Sequence, residues 1–275
     1  MIPIRKTINS IIEKEVLDDT VYILLSGGVD SQSVLFSSLE LGKKVVVVSF
    51  HIEGHKSRDF LCAEGIAKEL NLEFIPVVLP TDMKTISEKI LYLSKTFDCR
   101  LKTDFECFYP MLFAYEAIEK HSGGKATMVS GLGADTYYLL SKKASIHYKD
   151  RPDEYRDLLY FNPNYSQRCK HEQLSKMLEF NHVMPYFRDE IYNLFKGKTK
   201  KECNSPKEKN DVREQYKNEL IEDFHFKHTS FQKGDSGISN MFEPLLETEW
   251  NINNWKSVTG IYNAVHKGVI TKPLS

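Results

Sequence analysis

Two apolar runs without alternation stand out near the start of the chain: Val21 to Leu25 (V-Y-I-L-L) and Val45 to Val48, continued by Ser49-Phe50. Runs of this kind predict strands buried on both faces of a parallel sheet. Phe74 to Leu79 (F-I-P-V-V-L) predicts a third strand and Lys125 to Ser130 (K-A-T-M-V-S) a fourth. Helical spacing fills the gaps. Val34, Leu35, Leu39 and Leu41 mark one helix, with Gly42 suited to its end. Leu61, Ala63, Ile66, Ala67 and Leu70 mark another, opened by Ser57 or Asp59. Two more are predicted at about 82–97 and 107–121, and an amphipathic one at 5–17. Strands alternating with helices at this spacing predict right-handed crossovers. The expected fold is therefore α/β, a doubly wound parallel sheet of about four or five strands. In such a sheet the loops at 26–31, 49–51 and 130–135 meet on one edge.

Beyond residue 150 the pattern changes. Tyr155, Tyr160, Phe161, Tyr165, Phe180, Tyr186, Phe187, Tyr192 and Phe195 crowd together, and strand signals are scarce. This predicts a sheet-bearing domain over 1–150 and a mostly helical region over 151–275 packed on it. Lys196 to Lys209 is polar and basic and reads first as a solvated linker. The alternative is a lid that orders over a nucleotide or an acidic partner. His51 and His55 are read as solvated loop residues.

Composition sets bounds. A chain of 275 residues with 41% hydrophobic content can bury a large core. The 37 Lys+Arg balance the 38 Asp+Glu, so no global field favours nucleic acid or an anionic membrane. The cysteines, Cys62, Cys99, Cys107, Cys169 and Cys203, are odd in number and form no C-x-x-C pair. That argues against a disulfide framework or a Cys-rich zinc site and for a reducing cytoplasm. No apolar run is long enough to span a bilayer, and the start lacks a signal-peptide core.

The candidate chemistry begins where the first strand stops, at Ser26-Gly27-Gly28-Val29-Asp30-Ser31. A Gly-Gly turn between strand and helix lets the backbone approach a ligand and aim several N–H groups at it. The helix adds its positive N-terminal end, and Ser26, Ser31 and Ser33 supply hydroxyls. Asp30 would repel a bare phosphate but suits a site where Mg²⁺ bridges the two. No Lys-Ser or Lys-Thr follows the glycines, which excludes a Walker loop. The stretch resembles the S-G-G-x-D-S pyrophosphate-binding loop of the N-type ATP pyrophosphatases (the PP-loop family). Those enzymes split ATP between the α- and β-phosphates and adenylate their substrate.

Ser130-Gly131-Leu132-Gly133-Ala134-Asp135 resembles the S-G-x-G-A-D segment of the asparagine synthetase and β-lactam synthetase branch. That resemblance implies ATP against Leu25, Ser26, Gly27, Gly28, Asp30, Ser31, Ser49, Phe50, Ser130 and Gly131, and Mg²⁺ on Asp30 and Asp135. His51 would then border the adenine beside Ser49 and Phe50. Met184 to Asp189 resembles the branch's P-F-L-D packing segment. Phe226 to Gly237 resembles its late lysine segment, which offers Lys227 first and Lys233 second as the cation for the developing oxyanion.

The branch pattern also breaks. Position 2 is Ile2, and only some twenty residues precede the first strand, so a glutaminase domain is not expected. Thr136 stands where an acidic residue follows the G-A-D aspartate, and Leu139-Leu140 replaces Gly-Gly. The expected activity is adenylation of a substrate carboxylate by ATP·Mg²⁺, with pyrophosphate released and AMP then displaced by an amine or ammonia. Three rivals stay open. One is a PP-loop enzyme acting on a nucleobase or tRNA, or in NAD synthesis, though neutral charge and unpaired cysteines count against tRNA thiolation. Another is an ATP-binding subunit without chemistry. The third is a synthetase served by a separate glutaminase partner.

Overall fold

The computed structural model describes residues 2–162, 166–221, 237–250 and 257–273. The chain opens with helix α1 (Ile4–Glu15), whose stripe of Ile4, Ile8, Ile11 and Ile12 is buried. Then follow β1 (Thr20–Leu24), α2 (Val29–Glu40), β2 (Lys44–Ile52), α3 (Arg58–Glu69), β3 (Glu73–Leu79), α4 (Met83–Phe97), α5 (Lys102–Ser122) and β4 (Thr127–Val129). The second half adds α6 (Ala134–Tyr138), α7 (Lys142–His147), α8 (Pro152–Tyr160), α9 (Ser166–Met177), β5 (Asn181–Val183), a 3-10 turn at Pro185–Phe187, α10 (Asp189–Phe195), α11 (Lys200–Cys203), α12 (Asn210–Gln215), α13 (Ile238–Glu249) and α14 (Val258–His266).

The five strands form one sheet in the order β3-β2-β1-β4-β5, and every pairing is parallel. Val21 sits against Val45 and Ile23 against Val47. Both faces are covered, as the continuous apolar runs require. Val21, Ile23, Val45 and Val47 pack with α1, α2, α3 and α10 residues on one face. Tyr22, Val46 and Val48 pack with α4, α5, α13 and α14 residues on the other. The fold is α/β and doubly wound. Pro76, which has no N–H to give, lies in edge strand β3, where a proline is tolerated. Ser57 caps α3 by accepting from Phe60 N–H at 3.2 Å, and Asp82 caps α4 by accepting from Thr85 N–H at 2.8 Å.

Three local readings change. β2 continues through His51 and Ile52, so His51 belongs to a strand and not a loop. The half read as nearly strandless supplies edge strand β5. The stretch 196–209 is not a solvated linker throughout. It contains α11, opened by a capping box between Thr199 and Glu202, and it buries Cys203 and Lys209. Arg156, 1% exposed, holds this stretch down. Its guanidinium donates to the carbonyls of Tyr137, Phe195 and Lys198 and pairs with Asp153 at 2.8 Å. A buried charge is tolerated there because acceptors surround it.

Candidate functional site

Strand order reverses between β1 and β4: the chain winds outward from β1 through β2 to β3, then returns to β1's other side. Neighbouring strands at such a switch point send their following loops to opposite faces, which opens a crevice at their carboxyl ends. The two glycine-containing loops flank that crevice.

The first loop is built for close approach. Gly27 has φ +78°, and a Cβ there would lie 2.4 Å from Cys62 Cβ on α3. Gly28 is the residue preceding α2. Ser31 Oγ accepts from Ser26 N–H at 3.3 Å and donates to Gly28 O at 3.0 Å. Gln32 Nε2 donates to Gly27 O at 2.7 Å. The turn is thus held by its own side chains. Ser33 faces away from a ligand: it donates to Asp30 O at 2.7 Å and bonds the buried Tyr186 hydroxyl at 2.9 Å.

The second loop lies directly on the first. A Cβ at Gly131 would come within 2.6 Å of the carbonyl carbon and oxygen of Asp30. Gly133, at φ +97°, sits over the Phe187 ring, 2.7 Å from where its Cβ would be. That contact gives the Pro185–Phe187 turn its packing role. Glycine is required at both positions by contact, and at Gly133 also by conformation.

Together the loops open onto a cavity of about 410 Å³, within the usual range for small-molecule sites. Leu25, Ser26, Asp30, Ser31, Ser49, Phe50, Ser130, Gly131 and Asp135 all line it. So does Thr136, and Leu24, Val48 and Met111 give it an apolar wall. Gly27 and Gly28 are not among the lining residues and shape the turn behind it. Neither histidine read in this region lines it. His51 bonds Ile52 O at 2.9 Å and packs edge-on against Phe60, while His55 is exposed. Lys227 and Lys233 lie outside the described residues.

The cation that the structure does place at the site is Lys209. Its ammonium donates to Asp30 Oδ2 and to Asp135 Oδ1, the latter at 2.6 Å. Burial works against this charge, but Asp30 and Asp135 outweigh it and hold the pKa above the ordinary lysine value. Lys209 adopts a left-handed φ of +57°, and its N–H donates to Asn204 Oδ1 at 3.1 Å. Asn204 in turn donates to Tyr138 O and Lys200 O. One lysine among many in a basic run carried no signal of this. Its partners lie 179 and 74 residues upstream in sequence, at Asp30 and Asp135.

Two carboxylates that converge on one cation are a hard-oxygen donor set of the kind Mg²⁺ takes when phosphate oxygens and water complete its shell. Asp30 and Asp135 fit that role. Among the described residues, no group of three or more His, Cys, Asp or Glu side chains converges into a metal cage.

The far wall is different in kind. Cys107, Gln167 and His171 line it. Burial, with Glu106 adding to it, pushes the Cys107 thiol up to about 12, which leaves no thiolate at neutral pH. Burial likewise pushes Cys62 up to about 12. His171, like Lys209, is a residue that sequence reading missed. It sits on α9 in the helical half, and nothing in its local sequence marks it.

Residues 20–100 match the family model described as queuosine biosynthesis protein QueC. No curated protein matches the chain. One solved structure, described as a predicted subunit of tRNA methyltransferase from Methanocaldococcus jannaschii, is 13% identical. The alignment covers 77% of this chain and 93% of that one, with a TM-score of 0.34. At that score the likeness carries no argument about function. The matched segment runs from β1 through α4 and contains the Gly-Gly loop. It supports the PP-loop ATPase superfamily and an ATP-utilising chain, and lends nothing to the asparagine synthetase branch in particular.

Proposed function

We propose that this protein is a PP-loop enzyme that uses ATP and Mg²⁺ to adenylate an oxygen on a nucleobase or nucleoside-like substrate, releasing pyrophosphate. An amine or ammonia then displaces AMP. One observation carries this reading: both glycine-containing loops and both aspartates converge on a single cavity, with a buried lysine between the carboxylates. The family match across the first loop favours a nucleobase-type acceptor over a free amino acid.

In this reading, the start of α2 at Asp30 and Ser31, with the hydroxyls of Ser26 and Ser31, receives the pyrophosphate, and the Gly-Gly turn behind them sets their position. Ser49, Phe50 and Val48 border the adenine. Asp30 and Asp135 would hold Mg²⁺, which supplies charge neutralisation for the leaving group when bound. Lys209 takes the part expected of Lys227 or Lys233. Held between two carboxylates that line the cavity, its ammonium would turn to phosphate oxygens once Mg²⁺ takes the aspartates. Most of the rate gain comes from holding the acceptor in line with the α-phosphate.

The second reading is an asparagine synthetase-like amide synthetase acting on a small carboxylate, which the Ser130–Asp135 segment favours. Separating the two takes a product assay. The protein is incubated with ATP and Mg²⁺ alone, then with carboxyl-bearing purines and pyrimidines, with tRNA, and with amino-acid carboxylates, each with and without ammonia. AMP and pyrophosphate formed only with a base or nucleoside supports the proposal. The same products with an amino acid move it to the second reading. ADP as product, or no nucleotide turnover with any acceptor, overturns both.

A further inference from the structure

His171 leads inward from the cavity to a set of buried polar groups that ends at Ser130. Its Nδ1 bonds the Tyr115 hydroxyl at 3.0 Å. That hydroxyl also bonds His182 Nδ1 at 2.8 Å and lies 3.3 Å from Ser175 Oγ. His182 Nε2 bonds Ser130 Oγ at 2.8 Å. Ser130 lines the same cavity as His171, at the end of β4 beside the phosphate loops. The path therefore leaves the cavity at one point and returns to it at another.

The surroundings are dry. Tyr115 is fully buried and stacks on Phe180, and Phe108 meets the His171 ring edge-on at 5.2 Å. Burial lowers the His171 pKa to about 4 and puts that of His182 well below the usual value, so both rings are neutral at pH 7. A neutral imidazole carries one N–H, and a phenol one O–H. The chain of bonds then has two self-consistent states. In one, Ser130 donates to His182, His182 to Tyr115 and Tyr115 to His171, so His171 presents Nε2–H. In the other every donor reverses and His171 presents a bare Nε2. Ser175 can donate to the phenol oxygen in both.

We infer that His171, Tyr115, His182 and Ser130 form a proton wire joining the far wall of the cavity to its phosphate side, with His171 as the group that accepts the nucleophile's proton. The catalytic part of this rests on the function proposed above; the wire itself does not. Starting from bare Nε2, His171 takes the proton. Its Nδ1 proton passes to the Tyr115 oxygen, and the phenol proton passes to His182 Nδ1. The His182 Nε2 proton passes to Ser130 Oγ, and the original Ser130 proton leaves to an oxygen of the departing phosphate. Each group ends neutral with one proton, so no charge is stranded in the low-dielectric interior. Sequential passage also lets a base work where an imidazolium would be costly.

The test reads ring tautomers by ¹⁵N-histidine NMR at pH 7, first without nucleotide and then with Mg·ATP as the probe. The wire predicts neutral His171 and His182 whose tautomers change together. It predicts that Ser130→Ala shifts the His171 tautomer ratio from the opposite end of the chain, and that Tyr115→Phe abolishes this transmission. Ser130→Cys, with a weaker donor, serves as a second end variant and should give a smaller shift of the same sign. A protonated His171, or a His171 tautomer indifferent to both Ser130 variants, overturns the inference. Coupled tautomers in a protein that forms no AMP support the wire and remove the enzyme reading. AMP formation with uncoupled tautomers does the reverse.

Discussion

The two walls of the cavity solve opposite electrostatic problems. On the loop side, Lys209 lies between Asp30 and Asp135, and three formal charges sit close together. On the far side, Tyr115, His171 and His182 are all buried, where the Asp135 side chain is 56% exposed, and they carry no net charge at neutral pH. A charged triad costs desolvation and persists only while every member is paired. A neutral chain costs little to bury and can still move a proton. In the function proposed above, one wall would receive a polyanion with its metal, and the other would handle a proton where no counter-ion is at hand.

The comparison breaks most visibly at Asp30. Asp30→Asn keeps the shape of the loop but removes half of the charge that faces Lys209. We expect pyrophosphate release to fall on the order of a hundredfold to a thousandfold, the range for losing one key electrostatic group. Lys209→Met acts on the same triad from the other side. It leaves two carboxylates without the Lys209 cation, which improves the site for a divalent ion. Magnesium alone should then raise the melting temperature of Lys209→Met more than that of the wild type. Equal shifts in both proteins would mean that lysine and metal do not compete for the aspartates.

The loop wall also depends on an absent side chain. Gly27→Ala introduces a Cβ at 2.4 Å from Cys62 Cβ and at φ +78°. Overpacking and a left-handed alanine together should cost about 2–4 kcal/mol. Urea unfolding measures the loss. Gly27→Ala combined with Cys62→Ala should not recover it, because the clash is with Cβ, which alanine retains.

Much of this was legible in the sequence for a physical reason. β1 and β2 are buried on both faces, so their apolar runs are continuous and read without ambiguity. The Gly-Gly turn follows at once because only glycine tolerates the approach of α3. The rest was hidden where meaning depends on distant partners. β5 is three residues, Asn-His-Val, too short to show a period. Lys209 looks like its neighbours until the fold brings Asp30 to it. His171 and His182 come from a helix and an edge strand, and only Tyr115 of α5 joins them. Ser33 was read as a ligand donor from its place in the motif, but the turn of α2 points it at Tyr186 instead.

The far wall should declare itself in acid. The folded pKa values of both histidines lie below the 6.5 of an unfolded imidazole. Between those values the unfolded chain binds more protons, so stability rises with pH there. The contribution is complete above about pH 6.5 and is lost as pH falls toward 4. At pH 5 the loss should reach about 2 kcal/mol for His171, since one pH unit is worth 1.36 kcal/mol, and His182 adds to it in the same direction. For His171 burial alone sets the direction, while for His182 the charges of His171 and Arg188 reinforce burial. His182→Asn should flatten this limb of the stability curve. A wild-type protein as stable at pH 5 as at pH 7 would mean that the rings charge without penalty, and the contrast between the walls would disappear.

The smallest effect asks what holds Lys209 in place. Thr199 accepts from Glu202 N–H, and Glu202 accepts from Thr199 N–H at 2.7 Å, which closes the capping box of α11. Asn204, just past that helix, accepts from the Lys209 N–H. Thr199→Ala should therefore cost about 1 kcal/mol of global stability, the usual value of a lost N-cap. Its effect on the site depends on which tether dominates. Lys209 keeps its ion pairs to Asp30 and Asp135, and the segment keeps its Arg156 anchor, so nucleotide affinity should stay within about twofold of wild type while the midpoint of unfolding falls. A loss of affinity much greater than the loss of stability would put the position of the lysine under the control of its own segment. The basic stretch would then act as a lever on the phosphate wall, and not as a strand of chain that the aspartates hold down.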